Sequence, residues 1–455
     1  MTTYSAIALS NTIRVGWMVE HVDTNAVPTA RSPLLAVKSM AKSKELRMNQ
    51  PTTRASIPAI VLVLTLGGAG CGDTHPTARD GSGPRAWDSA GVMIVENPQP
   101  ALDARLPWVF GTQPSLSIGA VDSGEADQLF RVTDATRLLD GRIVIANSGS
   151  NELRVFTADG SHAGNWGGRG EGPGEFTSYS PAAVALWPGD SVAAANPWGG
   201  RLSLFDRDGN HGRDVRLDTS LRNILDLLPD GKIVTRGGGG LKATMTGSTG
   251  LVRSNAEWGI LAGDGTLHTS LGEFPGSEFW ATFGSDGSLQ SGRPHPFGRA
   301  TLGAVWGNLV AIGVQDSYQI KAFAADGSLV RIVRRDGDLE SPTRADQVAY
   351  WEQRYANRPD DERIEALNDV KDMPLVDSYP AFSGVLADRA GYLWVREYQG
   401  AVWTVFDAEG RIQGLVETPP GLRTFEIGVD YLLGWRYDEL GVEYVQLWSL
   451  DRGAG

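Results

Sequence analysis

The chain has 455 residues, 41% hydrophobic and 21% charged, with a formal net charge of −13 and one cysteine. This excludes a disulfide-stapled scaffold and a cysteine-rich zinc site, and the acidic balance, with no basic run after Arg54, argues against a nucleic-acid partner. The 57 glycines and 24 prolines favour many tight turns and few long helices, in two or three average domains or one large repeat-built β domain.

Residues 57–66, IPAIVLVLTL, form an apolar run behind Arg54. The run is too short to span a bilayer as a helix but has the length of a signal-peptide hydrophobic region. GGAG and then Cys71 follow at once. The arrangement resembles a bacterial lipoprotein signal, in which small residues precede a cysteine that is lipidated and becomes the mature N-terminus. Ala69 and Gly70 fit that pattern; Gly68 stands where an aliphatic residue is usual. An ordinary secretory signal is the alternative. On this reading translation starts at Met48, with Met40 as the alternative, residues 1–47 are an upstream segment outside the fold, 48–70 are the signal peptide and 71–88 a flexible tether. Gly72, in place of an aspartate after the cysteine, points to the outer membrane without fixing the side.

Further along, one pattern repeats. LLDGRIVIANSGSNELRVFTADG (138–160) superposes on the segment ending at Gly209, with Asn147 on Asn196, Phe156 on Phe205 and Asp159-Gly160 on Asp208-Gly209. Copies recur at 227–240 with 257–265, at 306–327, at 389–410 and, shortened, at 428–453. Each holds short alternating apolar runs separated by Asp-Gly or Ala-Gly turns, which is a four-stranded β-meander. In the first copy the strands, inner to outer A to D, are expected near 132–139, 142–147, 151–157 and 162–166. A meander cannot bury both faces alone, and six around an axis pack face to face.

GRIVIANSGSNELRVFTADG followed by GGRGEGPGEF resembles an NHL-type repeat of bacterial six-bladed β-propellers over about residues 115–453, with Asn147 where such repeats usually carry Asp. The resemblance implies an all-β, six-bladed propeller of four-stranded antiparallel blades (89–453), and the residues between blades 4 and 5 are expected to form a helical insertion (341–378). It says little about function. The last copy lacks an outer strand, which either 89–98 or 115–119 is expected to supply, closing a ring that is expected to be monomeric.

The tight Asp-Gly turns all join strands A–B or C–D, so that face is closely trimmed; the other receives the long segments 168–181, 213–223, 272–296 and 337–380. GGRGEGPGEF has neither spacing of a nucleotide-binding loop, and Pro173 removes one of its donors. It reads as a D–A connection in which Arg169, Glu171 and Glu175 are candidate ligand contacts. In the excursion, Ser341-Pro342 is the expected cap of a helix with Val348, Trp351 and Tyr355 on one side, and a second helix is expected from Asp360. The pair either packs on the rim or forms a lid.

No H-E-x-x-H, G-x-S-x-G or EF-hand spacing is present, and His75, His162, His211, His268 and His295 form no metal-binding spacing. Oxygen ligands for a divalent cation such as calcium are available on the inner strands (Asp134, Asp226) and B–C turns (Asn147, Asn196, Asp316, Glu397), where turn-capping is the competing role. Trp198, Trp280, Trp351 and Tyr398 are assigned to the loop-rich face, as aromatics for sugar or peptide. The expectation is a non-catalytic binding protein without a cofactor, anchored in the envelope by a lipid on Cys71, whose partner is an envelope protein, a peptide or a glycan. A lactonase-like hydrolase or lyase using a divalent cation is the alternative.

Overall fold

Alternating Val, Ile, Leu and aromatic runs between Asp-Gly turns leave the chain no efficient burial except as packed meanders. The structure, a computed structural model, describes residues 83–453 apart from 121–123, 125–126, 218–219, 242–244 and 357–358. Cys71, the signal segment, residues 1–47 and most of the tether lie outside the described residues.

Six antiparallel meanders are present, with inner strands Val132–Arg137, Val184–Trp187, Asn223–Leu227, Thr301–Trp306, Gly384–Ala387 and Arg423–Ile427. Each inner strand touches the next in that order and the sixth touches the first, so the ring is closed around a channel. The core is six apolar clusters, one per interface between successive blades. Phe156 and Leu433 share the one between blades 1 and 6, and Phe406 and Ile320 the one between blades 4 and 5. Each buried phenylalanine of the Phe-x-x-Asp-Gly pattern contributes roughly 2–3 kcal/mol of burial. That pattern is local: the ladder carries a bulge at Phe156, Phe205, Phe323 and Phe406, and the glycine that follows is left-handed. At Gly209 a Cβ would sit 2.0 Å from the ring of Trp166, the outer-strand residue of the preceding blade.

Three of the sheets depart from four strands, that of blade 6 because both Val109–Phe110 and Leu116–Ile118 pair with its last strand. Blade 3 has a fifth, because its third and fourth are stretched into the long hairpin Gly250–Leu261 and Leu267–Phe283, with Leu289–Pro294 beyond. Ring closure falls to Leu116–Ile118, which pairs with the blade 6 strand Glu443–Asp451. The other expected donor goes elsewhere. Val92–Asn97 pairs parallel with the blade 4 outer strand Leu329–Arg335 and carries Arg85–Ser89 as an edge strand, so this sheet has six strands. Asn97 then latches blade 4 to blade 5, donating to the carbonyls of Arg334 and Gly410 (both 3.0 Å) and accepting from the Ile412 N–H (2.8 Å).

The insertion holds two helices, α1 (Arg344–Arg354) and α2 (Asp360–Val370). Thr343, not Ser341, caps α1, in a capping box with Asp346. The buried stripe is Gln347, Trp351 and Tyr355, at strict i, i+4 spacing, and Val348 faces solvent. Gln347 takes the inward place because its amide reaches the Pro374 carbonyl (3.2 Å). Trp351 and Tyr355 stack at 5.4 Å and pack with Ala366 and Val370 against Trp280 of the long blade 3 hairpin. The insertion therefore leans back over blades 3 and 4 and leaves blades 6, 1 and 2 uncovered.

Candidate binding face and channel

Along the channel, the inner strands of blades 1, 3 and 6 each carry a bulge followed by an acid: Asp134, Asp226 and Glu426. A bulge re-aims the side chain beside it. The carboxylate of Asp134 accepts from the N–H of Ala135 (2.9 Å) and of Val184 (3.0 Å), tying blade 1 to blade 2. Burial raises its pKa to about 7 against those two bonds and the charge of Arg423, with a small further rise from Asp226. Asp226 accepts from the Leu227 N–H (2.7 Å); burial raises it to about 6, Glu426 adding to the rise while the N–H bond and Arg389 oppose it. Glu426 pairs with Arg389 (2.8 Å) and accepts from the Thr136 hydroxyl (2.7 Å) and Tyr431. Asp226 and Glu426 stand one residue before their A–B turns, at the trimmed end. These carboxylates are held by backbone donors and arginines, and arginine occupies the place a cation would take beside Glu426. Among the described residues no group of three or more His, Cys, Asp or Glu comes together as metal ligands.

On the loop-rich face the uncovered sector over blades 6, 1 and 2 is aromatic. Phe130, Tyr179, Trp198 and Tyr437 are each 48–58% exposed. The Arg131 guanidinium lies 5.3 Å from the centre of the Phe130 ring and 5.6 Å from that of Tyr179. Arg131 (φ 54°) and Tyr179 (φ 63°) are left-handed, a conformation that costs such residues about 1 kcal/mol or more and that tertiary contacts must hold. Those contacts are visible. The buried Glu443 carboxylate accepts from the N–H of Arg131 (2.9 Å) and Val132 (2.7 Å), and Asn147 accepts from the N–H of Phe130 (2.8 Å). Gly149 lets the Phe130 ring close down, since a Cβ there would meet the ring at 2.2 Å. Beside Phe130 and Tyr437 opens a concavity of about 400 Å³, lined also by Gln128, Leu129, Val442 and Glu443.

The residues singled out from sequence divide accordingly. Asn147 and Asn196 are turn anchors: Asn147 donates to the Ser150 hydroxyl (2.5 Å), and Asn196 accepts from the Gly199 N–H (3.0 Å) and the Thr177 hydroxyl (2.7 Å). Arg169 and Glu171 are exposed on a connection fastened to blade 2, where Arg201 donates to the carbonyls of Glu171 (3.0 Å) and Glu175 (2.7 Å). The Glu175 carboxylate accepts from the Gly172 N–H (2.8 Å), and the fully buried Phe176 ends the loop. On the covered half, Asp316 pairs with Arg253 (2.8 Å). Glu397 is held by Arg335 (3.0 Å) and the Thr404 hydroxyl (2.6 Å) between blades 4 and 5. Trp351 is 5% exposed inside the helix pair, and Tyr398 packs at 5.2 Å from Tyr379 beneath the insertion's neck. Of these only Trp198 and, through its hold on Phe130, Asn147 belong to the uncovered aromatic sector. Phe130, Arg131, Tyr179 and Tyr437 carry no spacing that marks them. The only local sign is that two connections into inner strands each place a bulky residue, Arg131 or Tyr179, where glycine would be easier.

No protein-family model and no curated protein sequence matches this chain. Among solved structures, an exported protein of Bacteroides fragilis is 14% identical, covering 79% of this chain and 99% of its own, with a TM-score of 0.41. Virginiamycin B lyase of Staphylococcus aureus is 10% identical (75% and 99% covered, TM-score 0.34). A gluconolactonase of Xanthomonas campestris is 13% identical (75% and 99% covered, TM-score 0.33). Likeness at this level carries nothing about chemistry; the blade count rests on the strand pairing above.

Proposed function

We propose that this chain is an NHL-like propeller that binds a carbohydrate, without catalysis, on the aromatic sector over blades 6, 1 and 2, and that it is anchored in the envelope through a lipid on Cys71. The observation that carries the binding reading is the guanidinium of Arg131 set between two exposed rings beside a sugar-sized concavity. Aromatic faces take the C–H faces of pyranose rings, and an arginine with free N–H groups reaches ring hydroxyls. An extended peptide is better served by an unpaired strand edge than by a cluster of rings around a guanidinium.

A glycan panel screened with the wild type and with Phe130→Ala and Tyr179→Ala tests this. Each substitution is expected to weaken binding about tenfold, with the folded state intact. Equal binding by all three proteins, or capture of peptides and no glycans, refutes the reading. Anchoring is supported by the apolar run and Cys71, and it is checked by incorporation of labelled palmitate, which Cys71→Ser should abolish.

A further inference from the structure

Three arginines on the covered half of the loop-rich face are paired with acids. Arg253 lies 2.8 Å from Asp316 and 3.8 Å from Glu278, Arg299 lies 3.8 Å from Asp316, and Arg335 is held by Glu397. Arg236 has no such partner among the described residues. It ends the blade 3 strand Ile233–Arg236, and its Nη1 reaches only the Thr301 carbonyl, at 3.4 Å, where the inner strand of blade 4 begins. Burial holds this guanidinium below the usual arginine range, and no carboxylate works against that effect. Arg236 is half-buried, and a cation that gives up part of its hydration without a counter-charge is less stable than a paired one.

The surroundings are rich in unused donors. The Thr301 hydroxyl donates to the Pro275 carbonyl (2.6 Å), and Arg253 Nε donates to the Gly276 carbonyl next to it (2.8 Å). Arg253 Nη2 and Arg299 Nε are buried and have no hydrogen-bond partner. Arg236 is followed by four glycines. The Gly237 N–H goes to the Glu257 carbonyl (2.7 Å), whereas those of Gly238, Gly239 and Gly240 have no backbone partner among the described residues. The closeness of this loop to the hairpin demands glycine: a Cβ on Gly276 would sit 2.2 Å from the Gly239 carbonyl oxygen. Three arginines face two acids here, and the neck of the insertion lies alongside, Arg299 Nη2 donating to the Ser378 hydroxyl (3.0 Å).

We propose that the notch between blades 3 and 4, at the loop-rich mouth of the channel, binds the oxyanion group of a small ligand, a carboxylate or a phosphate, with Arg236 as its counter-charge and the glycine N–H groups and spare arginine donors completing the site. Such a group supplies the one missing negative charge and suits a fork of N–H donors. The site is separate from the aromatic sector and does not rest on the carbohydrate reading.

The experiment is a thermal-unfolding titration of the full chain with sodium phosphate and, separately, sodium acetate, at ionic strength held constant with sodium chloride. The wild type is expected to gain Tm with rising phosphate or acetate and not with chloride. The steeper of the two responses tells which oxyanion the notch prefers. Arg236→Met, which keeps the length and removes the charge, is expected to match or exceed the wild-type Tm in chloride alone and to lose the response. Arg236→Lys should keep it with affinity weakened about tenfold. Phe130→Ala should leave it unchanged, which separates failure here from failure of the glycan site. A wild type indifferent to both anions overturns the proposal, as does an Arg236→Met protein that responds like the wild type.

Discussion

Glu443 is where ring closure and the aromatic sector meet, and its replacement has a calculable cost. The side chain belongs to a residue 6% exposed and accepts three hydrogen bonds: from the N–H of Arg131 (2.9 Å) and of Val132 (2.7 Å), and from the Trp435 indole (3.2 Å). Two of the donors are backbone groups of blade 1, so the carboxylate fastens the last blade to the first across the interface of Val132, Phe156 and Leu433. Hydrogen bonds to a charged acceptor are worth about 1.5–3 kcal/mol each, and a buried N–H left without a partner costs about 1–3 kcal/mol. Glu443→Ala strands all three donors and is expected to lose about 3–5 kcal/mol. Glu443→Gln keeps one acceptor oxygen, turns an NH₂ toward a donor and should lose about 1–3 kcal/mol. Urea unfolding followed by tryptophan fluorescence measures both. Because the same bonds hold the left-handed turn at Arg131, glycan binding should weaken in the Gln variant under conditions where it is still fully folded. A Gln variant within about 0.5 kcal/mol of the wild type, binding normally, refutes the reasoning.

Two further outcomes follow from buried titrating groups. The folded-state pKa of Asp226 is raised to about 6, so the folded state holds its proton more tightly than the unfolded one, and stability falls as pH rises from about 4 to about 6. Asp226→Asn is therefore expected to stabilise the protein at pH 8 by on the order of 1–3 kcal/mol, a gain that should vanish near pH 4; a loss at pH 8 contradicts the assignment. His295, 2% exposed, interacts through Nε2 with the Pro374 carbonyl (2.9 Å) and through Nδ1 with the Phe297 N–H (3.2 Å), so both bonds are made only by the neutral ring. Burial lowers its pKa, with the Pro374 bond and Glu278 opposing, so the unfolded state takes up the proton first and stability is lost as pH falls below about 6.5. Hydrogen exchange over 341–378, corrected for its intrinsic pH dependence, should accelerate between pH 7 and 5 in the wild type and not in His295→Gln; identical slopes count against it.

The repeat was legible because its signals are local. A Phe that bulges the ladder and an Asp-Gly turn behind it occupy fixed places in one hairpin, and the copies align without knowledge of anything distant. Leu116–Ile118 could be named as a closing strand because blade 6 visibly lacked one. The placement of Val92–Asn97 on blade 4 could not, since a parallel pairing with a strand more than two hundred residues away leaves no trace in either segment. Helix α1 was legible as a helix, but its face was read by hydrophobicity alone. That put Val348 inward and missed Gln347, whose amide bonds to the Pro374 carbonyl. Candidate residues failed in a related way. Asn147, Asn196 and Glu397 share a register position, and sharing it reflects a common structural duty at the B–C turn, where side chains anchor the turn or clamp a neighbouring blade.

Whether a buried polar group has found its partner within the chain is therefore more informative here than its type or its register. Glu397, Glu443, Asn97 and Asn147 satisfy backbone and arginine groups of adjoining blades, and each has a sufficient structural reason to be where it is. Arg236 has only one long bond, to the Thr301 carbonyl, and no carboxylate among the described residues: its strand ends, its loop turns away through four glycines, and its charge stands at the mouth of the channel. The aromatic sector is the surface counterpart of the same argument. Burying Phe130 and Tyr179 would have stabilised the fold by about 1.5–3 kcal/mol each, yet two left-handed residues hold that group of rings in solvent. Stability alone selects against both arrangements, and a ligand meeting each of them restores what the fold gives up.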